Sequence, residues 1–233
     1  MRFCVIGDIH GRDSWMDFVG ENKDTHFIFL GDYCDPYDNK IDDSDALVNL
    51  NLIINYKKSH PDNVTLLIGN HDAQYMWYPK YHTSSVNYNE RLKETIKVFQ
   101  KNKSLFQFAL QRDNHIFVHA GISVWWYDEH IEVLKYFGLK EDNSNLAEVL
   151  NDIGNDDKWR DILMQVSSWR GGDSYIGGPT WADKRELEEP LENIHQYVGH
   201  NKVQNIWTKG DKISSITFCD ILSVRKKAFI ITI

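Results

Sequence analysis

The sequence predicts an α/β fold. Two observations carry that reading: five short apolar runs each end at a polar, glycine-containing cluster, and the stretches between them place apolar residues at helical spacing. Residues 3–6 run into Gly7-Asp8-Ile9-His10-Gly11, residues 27–30 into Gly31-Asp32-Tyr33-Cys34-Asp35, and residues 64–68 into Gly69-Asn70-His71-Asp72. Residues 116–118 precede His119-Ala120-Gly121, and Tyr197-Val198 precede Gly199-His200. β-branched and aromatic content suits buried strands, and open α/β sheets bind ligands at the carboxyl ends of their strands.

The elements between follow in order. Leu47, Leu50, Ile53 and Ile54 lie after the capping candidates Asp43 and Ser44 and before Pro61, which predicts a helix. Leu92, Ile96 and Phe99 predict a second one near Glu90–Lys101. Residues 125–165 read as mainly helical, with loops at 143–145 and 151–157, and the glycine-rich stretch 168–179 reads as loop. Glu186, Glu188, Glu189 and Glu192 suggest a solvated helix face. Partial alternation over 212–233 predicts one or two further strands pairing antiparallel. The expected organisation is a single domain over 1–233 with a mainly helical insertion around 125–195.

Composition narrows the function classes. The 233 residues are 42% hydrophobic and 26% charged, with a formal net charge of -8 and no basic stripe. Groove-tracking nucleic-acid binding and attachment to an anionic membrane are therefore disfavoured. The most apolar stretch, 116–127, is interrupted by His119 and Ser123 and falls short of the ~18 apolar residues of a membrane span. The first apolar run is also too short for the ~7 to 15 residue core of a signal peptide. Cys4, Cys34 and Cys219 form no CxxC pair, which fits a reducing compartment, and a cytoplasmic location is expected.

The strand ends carry the chemistry. Asp8 and His10 are two apart, so their side chains leave on the same side and can converge on one cation, with Asp32 as a third ligand. Carboxylate and imidazole together suit manganese, iron or zinc rather than a calcium cage. Asn70, His119 and His200 end three more strands, and a carboxylate such as Asp32 can bridge two ions about 3.5–4 Å apart.

The order GDIHG, GDYCD, GNHD, HAG, GH resembles the calcineurin-like metallophosphoesterase superfamily over residues 7–200. The resemblance implies a four-layer αββα sandwich, two packed mixed β-sheets flanked by helices. It implies two divalent ions, one held by Asp8, His10 and Asp32, the other by Asp32, Asn70, His119 and His200. It also implies that His71 is the general acid and that Asp35 orients it. The implied activity is hydrolysis of a phosphomonoester or phosphoanhydride by in-line attack of a metal-bridging hydroxide. The implied substrate is phosphorylated: a phosphoprotein, a nucleotide or a dinucleoside polyphosphate.

Two departures refine the resemblance. The phosphoprotein-phosphatase-like branch usually continues GDxxDRG, with an arginine that grips phosphate, whereas Pro36 and Tyr37 follow Asp35 here. Arg12 and Arg170 are the replacements considered, with Arg170 first because of its glycine-rich setting. Superfamily nucleases and diesterases commonly end GHxH, but Asn201 and Lys202 follow His200, and a lysine cannot serve as a neutral ligand. That points to the phosphatase and dinucleoside-polyphosphate hydrolase branch, away from a phosphodiesterase or nuclease. A scaffold that has lost catalysis is the reading from another class, and the complete ligand set with His71 argues against it.

Plainer readings stand beside these. A single Asp or His at a strand end is usually a turn-former, and only the joint set inverts those odds. His26, His60, His82, His115, His130 and His195 belong to no motif and are expected elsewhere. Tyr75, Trp77, Tyr78 and Tyr81, and Trp125, Trp126 and Tyr127, either wall the site or pack as core and lid. Trp169 and Trp181 frame the glycine-rich loop, as a substrate-facing segment or a plain connection.

Overall fold

The computed structural model describes residues 1–20, 24–81 and 90–233. Period-two burial builds its centre. Strands β1 (Arg2–Ile6), β2 (Thr25–Phe29) and β3 (Val64–Leu67) run parallel, flanked by β4 (Phe106–Gln107) and by β10 (Phe229–Thr232), which pairs antiparallel with β1. A second sheet has the order β5 (Ala109–Arg112), β6 (His115–Val118), β7 (His195–Val198), β9 (Ser215–Phe218) and β8 (Trp207–Gly210). Phe3, Val5, Ile28, Leu30 and Leu67 face Phe117 and Tyr197 across the interface between the sheets. The alternate residues Cys4, Ile6, Phe27, Phe29 and Leu66 share the larger core with the helices. The result is two mixed sheets packed together and flanked by helices.

Helix α1 (Asp43–Ser59) covers the first sheet with Leu50, Ile53 and Ile54. Its cap is Asp42, one residue before the expected Asp43: its side chain accepts from Asp45 N at 2.8 Å, and Asp45 returns a bond to Asp42 N at 3.3 Å. Helix α2 (Asn70–Met76) opens within the third motif, and α3 (Glu90–Lys101) lies where its apolar spacing predicts. On the other side are α4 (Val124–Glu129), α5 (Ile131–Tyr136), α6 (Leu146–Asn155) and a 3₁₀ turn at Arg160–Met164.

Three expectations are corrected. Residues 151–155 are helix, because Val149, Leu150 and Ile153 are buried on one face of α6 and Asn151 turns its amide to Phe108 N, Ala109 N and Ala109 O. Residues 186–192 are turns, because the Glu186 carboxylate accepts from Gly177 N and Asp183 N instead of pairing along a helix. The third is corrected only in part: the two strands over 212–233 do pair antiparallel, β9 with β8 and β10 with β1, but β9 also pairs parallel with β7 and so lies inside the second sheet.

Candidate active site

Because β1, β2 and β3 are parallel in one sheet and β6 and β7 in the other, all five motif loops emerge at one rim. Four of them line a cavity of about 630 Å³ whose wall includes Asp8, His10, Asp32, Asn70, His71 and His200, while His119 of the fifth is fully buried, with Nε2 3.6 Å from Asp32 Oδ2. Asp8, His10 and Asp32 place ligand-capable atoms within 4.8 Å of one another, and so do Asp32, His119 and His200; Asp32 belongs to both groups.

The loops are forced into shape to do this. His10, Asp32, Asp35 and His200 all have left-handed backbone, with φ of 43°, 53°, 59° and 58°, a conformation uncommon outside glycine and more accessible to Asp and His than to most side chains. Asp72 imposes part of it: its carboxylate accepts from Asp32 N at 2.7 Å, Tyr33 N at 3.0 Å and Gly69 N at 2.8 Å. Two glycines leave room for carboxylates. A Cβ at Gly69 would sit 2.1 Å from Asp32 Oδ1, and one at Gly199 would sit 2.4 Å from Asp8 Oδ1.

Backbone carbonyls orient two of the imidazoles. A carbonyl only accepts, so His10 Nδ1 donates to Cys34 O and Asp35 O, both at 3.0 Å, and its Nε2 lone pair faces Asp32 Oδ2 at 3.7 Å. His119 Nδ1 likewise donates to Leu30 O at 2.7 Å, leaving the Nε2 lone pair 3.0 Å from Asn70 Oδ1. Two acceptors that close are compatible when both coordinate one cation. His200 Nε2 is buried without a hydrogen-bond partner. Burial holds the His10, His119 and His200 rings neutral, lowering each pKa, which is the state a metal ligand requires.

The carboxylates need cations for the same reason. Burial, then the charges of Asp220 and Asp32, push Asp8 well above the usual carboxylate range. Burial and Asp32 likewise push Asp220 up to about 6. Burial also opposes the charge on Asp32, but His119, His71 and His10 outweigh it and hold Asp32 below the usual range. Buried like charges of this kind persist when they are paired or bind metal. The donor set, the facing lone pairs and the stranded His200 nitrogen therefore fit divalent cations.

His71 lies beside these groups. Its Nδ1 is 2.6 Å from Asp35 Oδ2, and Tyr75 donates its hydroxyl hydrogen to the other Asp35 oxygen. Burial opposes protonation of His71, but Asp32 and the hydrogen bond and charge of Asp35 prevail and push it up to about 9. Its Nε2 lies 3.2 Å from Tyr37 Oη, inside the cavity.

Arg12 and Arg170 both line the cavity. Arg170 is held from behind: Nη2 donates to Asn201 Oδ1 at 2.5 Å, and Nε lies 2.9 Å from Asp183 Oδ2, off the N–H direction. Arg12 Nη1 is turned to Ile9 O at 3.2 Å.

The aromatic candidates divide. Trp181 lines the cavity, whereas Tyr75, Trp77, Tyr78, Tyr81, Trp125, Trp126 and Tyr127 do not. Trp126 is core, and Trp125 and Trp169 line a second cavity. His26, His60, His115, His130 and His195 stay away from the rim, and His82 lies outside the described residues. Three cavity or support residues escape motif reasoning. Asp72 lies within GNHD itself, and Tyr37 stands two residues after Asp35. Asp220 stands two residues after β9, a strand whose parallel pairing the sequence pattern hides.

A comparison with protein families matches residues 1–204 to the calcineurin-like phosphoesterases. The chain belongs to that family. Among solved structures, this calcineurin-like phosphoesterase is similar to the cold-active protein-tyrosine phosphatase of the psychrophile Shewanella sp., with 14% identity, a TM-score of 0.51, and coverage of 93% of this chain and 70% of that one. It is similar as well to a protein serine/threonine phosphatase from Saccharomyces cerevisiae, with 17% identity, a TM-score of 0.51, and coverage of 94% and 67%. These likenesses are of fold, and they extend over both sheets. Among the described residues, no helix is long and apolar enough to cross a membrane.

Proposed function

We propose that this phosphoesterase is a phosphoprotein phosphatase that uses two divalent ions, manganese, iron or zinc. The observation that carries the reading is the sharing of Asp32 between two ligand groups beside a cavity lined by His71, which is itself paired with Asp35. Asp8, His10 and Asp32 would hold one ion, and Asp32, Asn70, His119 and His200 the other. When bound, two such ions polarise phosphoryl oxygens and bring the pKa of a water towards neutrality.

The chain's own residues supply the rest. His71 gives its Nε2 proton to the departing oxygen, while Asp35 keeps the ring turned and sustains its charge. Cations on Asp32 would remove much of that residue's pull on His71, leaving Asp35 as the partner that matters. Tyr37 Oη marks the direction in which His71 Nε2 donates. Arg170 takes the place of the arginine missing after Asp35, offering its guanidinium to non-bridging phosphoryl oxygens. Arg170 comes from the segment read as an insertion around 125–195 of a single domain.

Lys202 after His200 supports phosphatase over diesterase chemistry, and the phosphatases of similar fold support a phosphorylated protein as substrate. Buried, unpaired Cys4, Cys34 and Cys219 support a reducing, cytoplasmic setting. The test is elemental analysis after reconstitution, together with turnover of phosphopeptides, nucleotides, dinucleoside polyphosphates and a diester. The expected result is close to two ions per chain, activity abolished by chelation, and a preference for phosphopeptides. Asp32→Asn should lower occupancy of both ions at once. Full activity in chelator, or a preference for the diester, overturns the proposal.

A further inference from the structure

The 3₁₀ turn Ser168–Arg170 has a cavity on each side. Arg170 lines the candidate active site, while Ser168 and Trp169 line a second cavity of about 640 Å³. Consecutive Cα atoms are ~3.8 Å apart, so the partition is only one turn of chain thick. The second cavity is walled by Trp125, Trp169 and Tyr175, which are 61%, 55% and 77% exposed. Trp125 and Tyr175 stack at 5.8 Å between ring centroids with 12° between planes, so the two rings form a single aromatic wall of the cavity.

Charge says what this surface takes. Glu188 and Glu189 line the cavity, both are exposed, and among the described residues neither has an ion-pair partner. Glu186 is spent on two backbone N–H groups, and Arg185 on Asp183 at 2.7 Å. Aromatic faces and unpaired carboxylates both attract cations. The chain shows that complementarity itself, since the Arg185 guanidinium lies 4.1 Å above the Trp169 ring. A nucleotide's phosphates would meet two carboxylates here. Across the turn Arg12, Arg170 and Lys202 line the candidate active site together with Asp8, Asp32 and Asp220, the carboxylates that bound cations would neutralise.

We infer that the cavity formed by Trp125, Trp169, Tyr175, Glu188 and Glu189 docks a lysine or arginine side chain of a peptide substrate whose phosphate occupies the neighbouring site. The inference rests on the phosphoprotein reading and deepens it. A ligand with a phosphate and a nearby basic side chain matches the two cavities in both charge and order.

The experiment compares a phosphopeptide flanked by arginines with the same peptide carrying glutamine there, and uses p-nitrophenyl phosphate as a small control. Wild type should prefer the arginine peptide by about 5- to 30-fold, chiefly in KM, as expected for cation–π and exposed charge contacts together. Glu188→Gln with Glu189→Gln, and separately Trp125→Ala, should erase that preference and leave p-nitrophenyl phosphate turnover unchanged. Equal treatment of the two peptides by wild type, or a preference that survives both variants, overturns docking. Binding of the unphosphorylated arginine peptide, read by tryptophan fluorescence, separates the two levels of argument. If it binds wild type but not Glu188→Gln/Glu189→Gln while no phosphopeptide is hydrolysed, docking stands and the phosphoprotein reading fails. If it binds neither protein and no phosphopeptide is hydrolysed, both fail.

Discussion

Replacing Arg170 by alanine separates a phosphate grip from a purely structural ion pair with the buried Asp183. The guanidinium is about a quarter exposed and held from behind by Asn201 and Asp183, with the cavity on its free side. Hydrogen bonds to charged groups are worth about 1.5–3 kcal/mol, so losing one made to the reacting phosphoryl group should lower kcat/KM by about 10- to 150-fold. Stability should move far less. Asp183 keeps Arg185 through contacts of 2.7 and 3.0 Å, and Asn201 keeps Lys184 N and Ala182 O, so neither partner is stranded. The assay is steady-state turnover of an aryl phosphate and a phosphopeptide, with metal content and Tm measured on the same preparation. Arg170→Lys should recover part of the loss, since a point charge replaces a fork. Unchanged kinetics in Arg170→Ala would refute the role and move the test to Arg12. A fall in Tm or metal content that accounts for the lost turnover would refute it equally.

Other consequences can be measured alongside. His71→Asn should keep metal content and slow alkyl phosphates by about 10² to 10⁴, with a smaller loss on an aryl phosphate whose leaving group needs little protonation; equal loss on both would remove His71 as the acid. Since the acid must carry its proton, activity on alkyl phosphates should fall as pH rises through the His71 pKa, which Asp35 holds above the ordinary imidazole value. Asp35→Asn should move that alkaline limb to lower pH, and an unmoved limb refutes the pairing. Tyr37→Phe removes a hydroxyl that the leaving oxygen must displace from His71 Nε2, so kcat/KM should hold or rise by up to about 5-fold; a 10-fold loss would put the hydroxyl in the proton transfer. Asn151→Ala leaves Phe108 N and Ala109 N without their acceptor and should cost about 1–3 kcal/mol in urea denaturation, with a change under about 0.5 kcal/mol refuting the account of α6.

The sequence by itself determined the strands that matter, the helices α1 and α3, and which candidate ligand residues stand at the strand ends. Apolar runs that stop at glycine are local signals, and parallel strands can deliver their ends to only one rim, so five motifs in order imply one place. What the sequence left open depends on contacts between distant segments. Asn151 looks like a helix breaker until β5 supplies partners for its amide, and Glu186 looks like a helix face until Gly177 and Asp183 claim its oxygens. Asp220 carried no signal because β9 becomes a parallel strand only beside β7, which precedes it by some 20 residues in the register His195 to Ser215. The left-handed backbone at His10, Asp32, Asp35 and His200 belongs to the same class. Asp and His tolerate it better than most side chains, but that local tolerance does not select it at these four positions. Asp72 and Gly69 in one motif and Gly199 in another provide the hydrogen bonds and the space that offset its cost. Only the closed tertiary structure brings those providers together, because hydrogen bonding and steric room are decided by what lies across the rim.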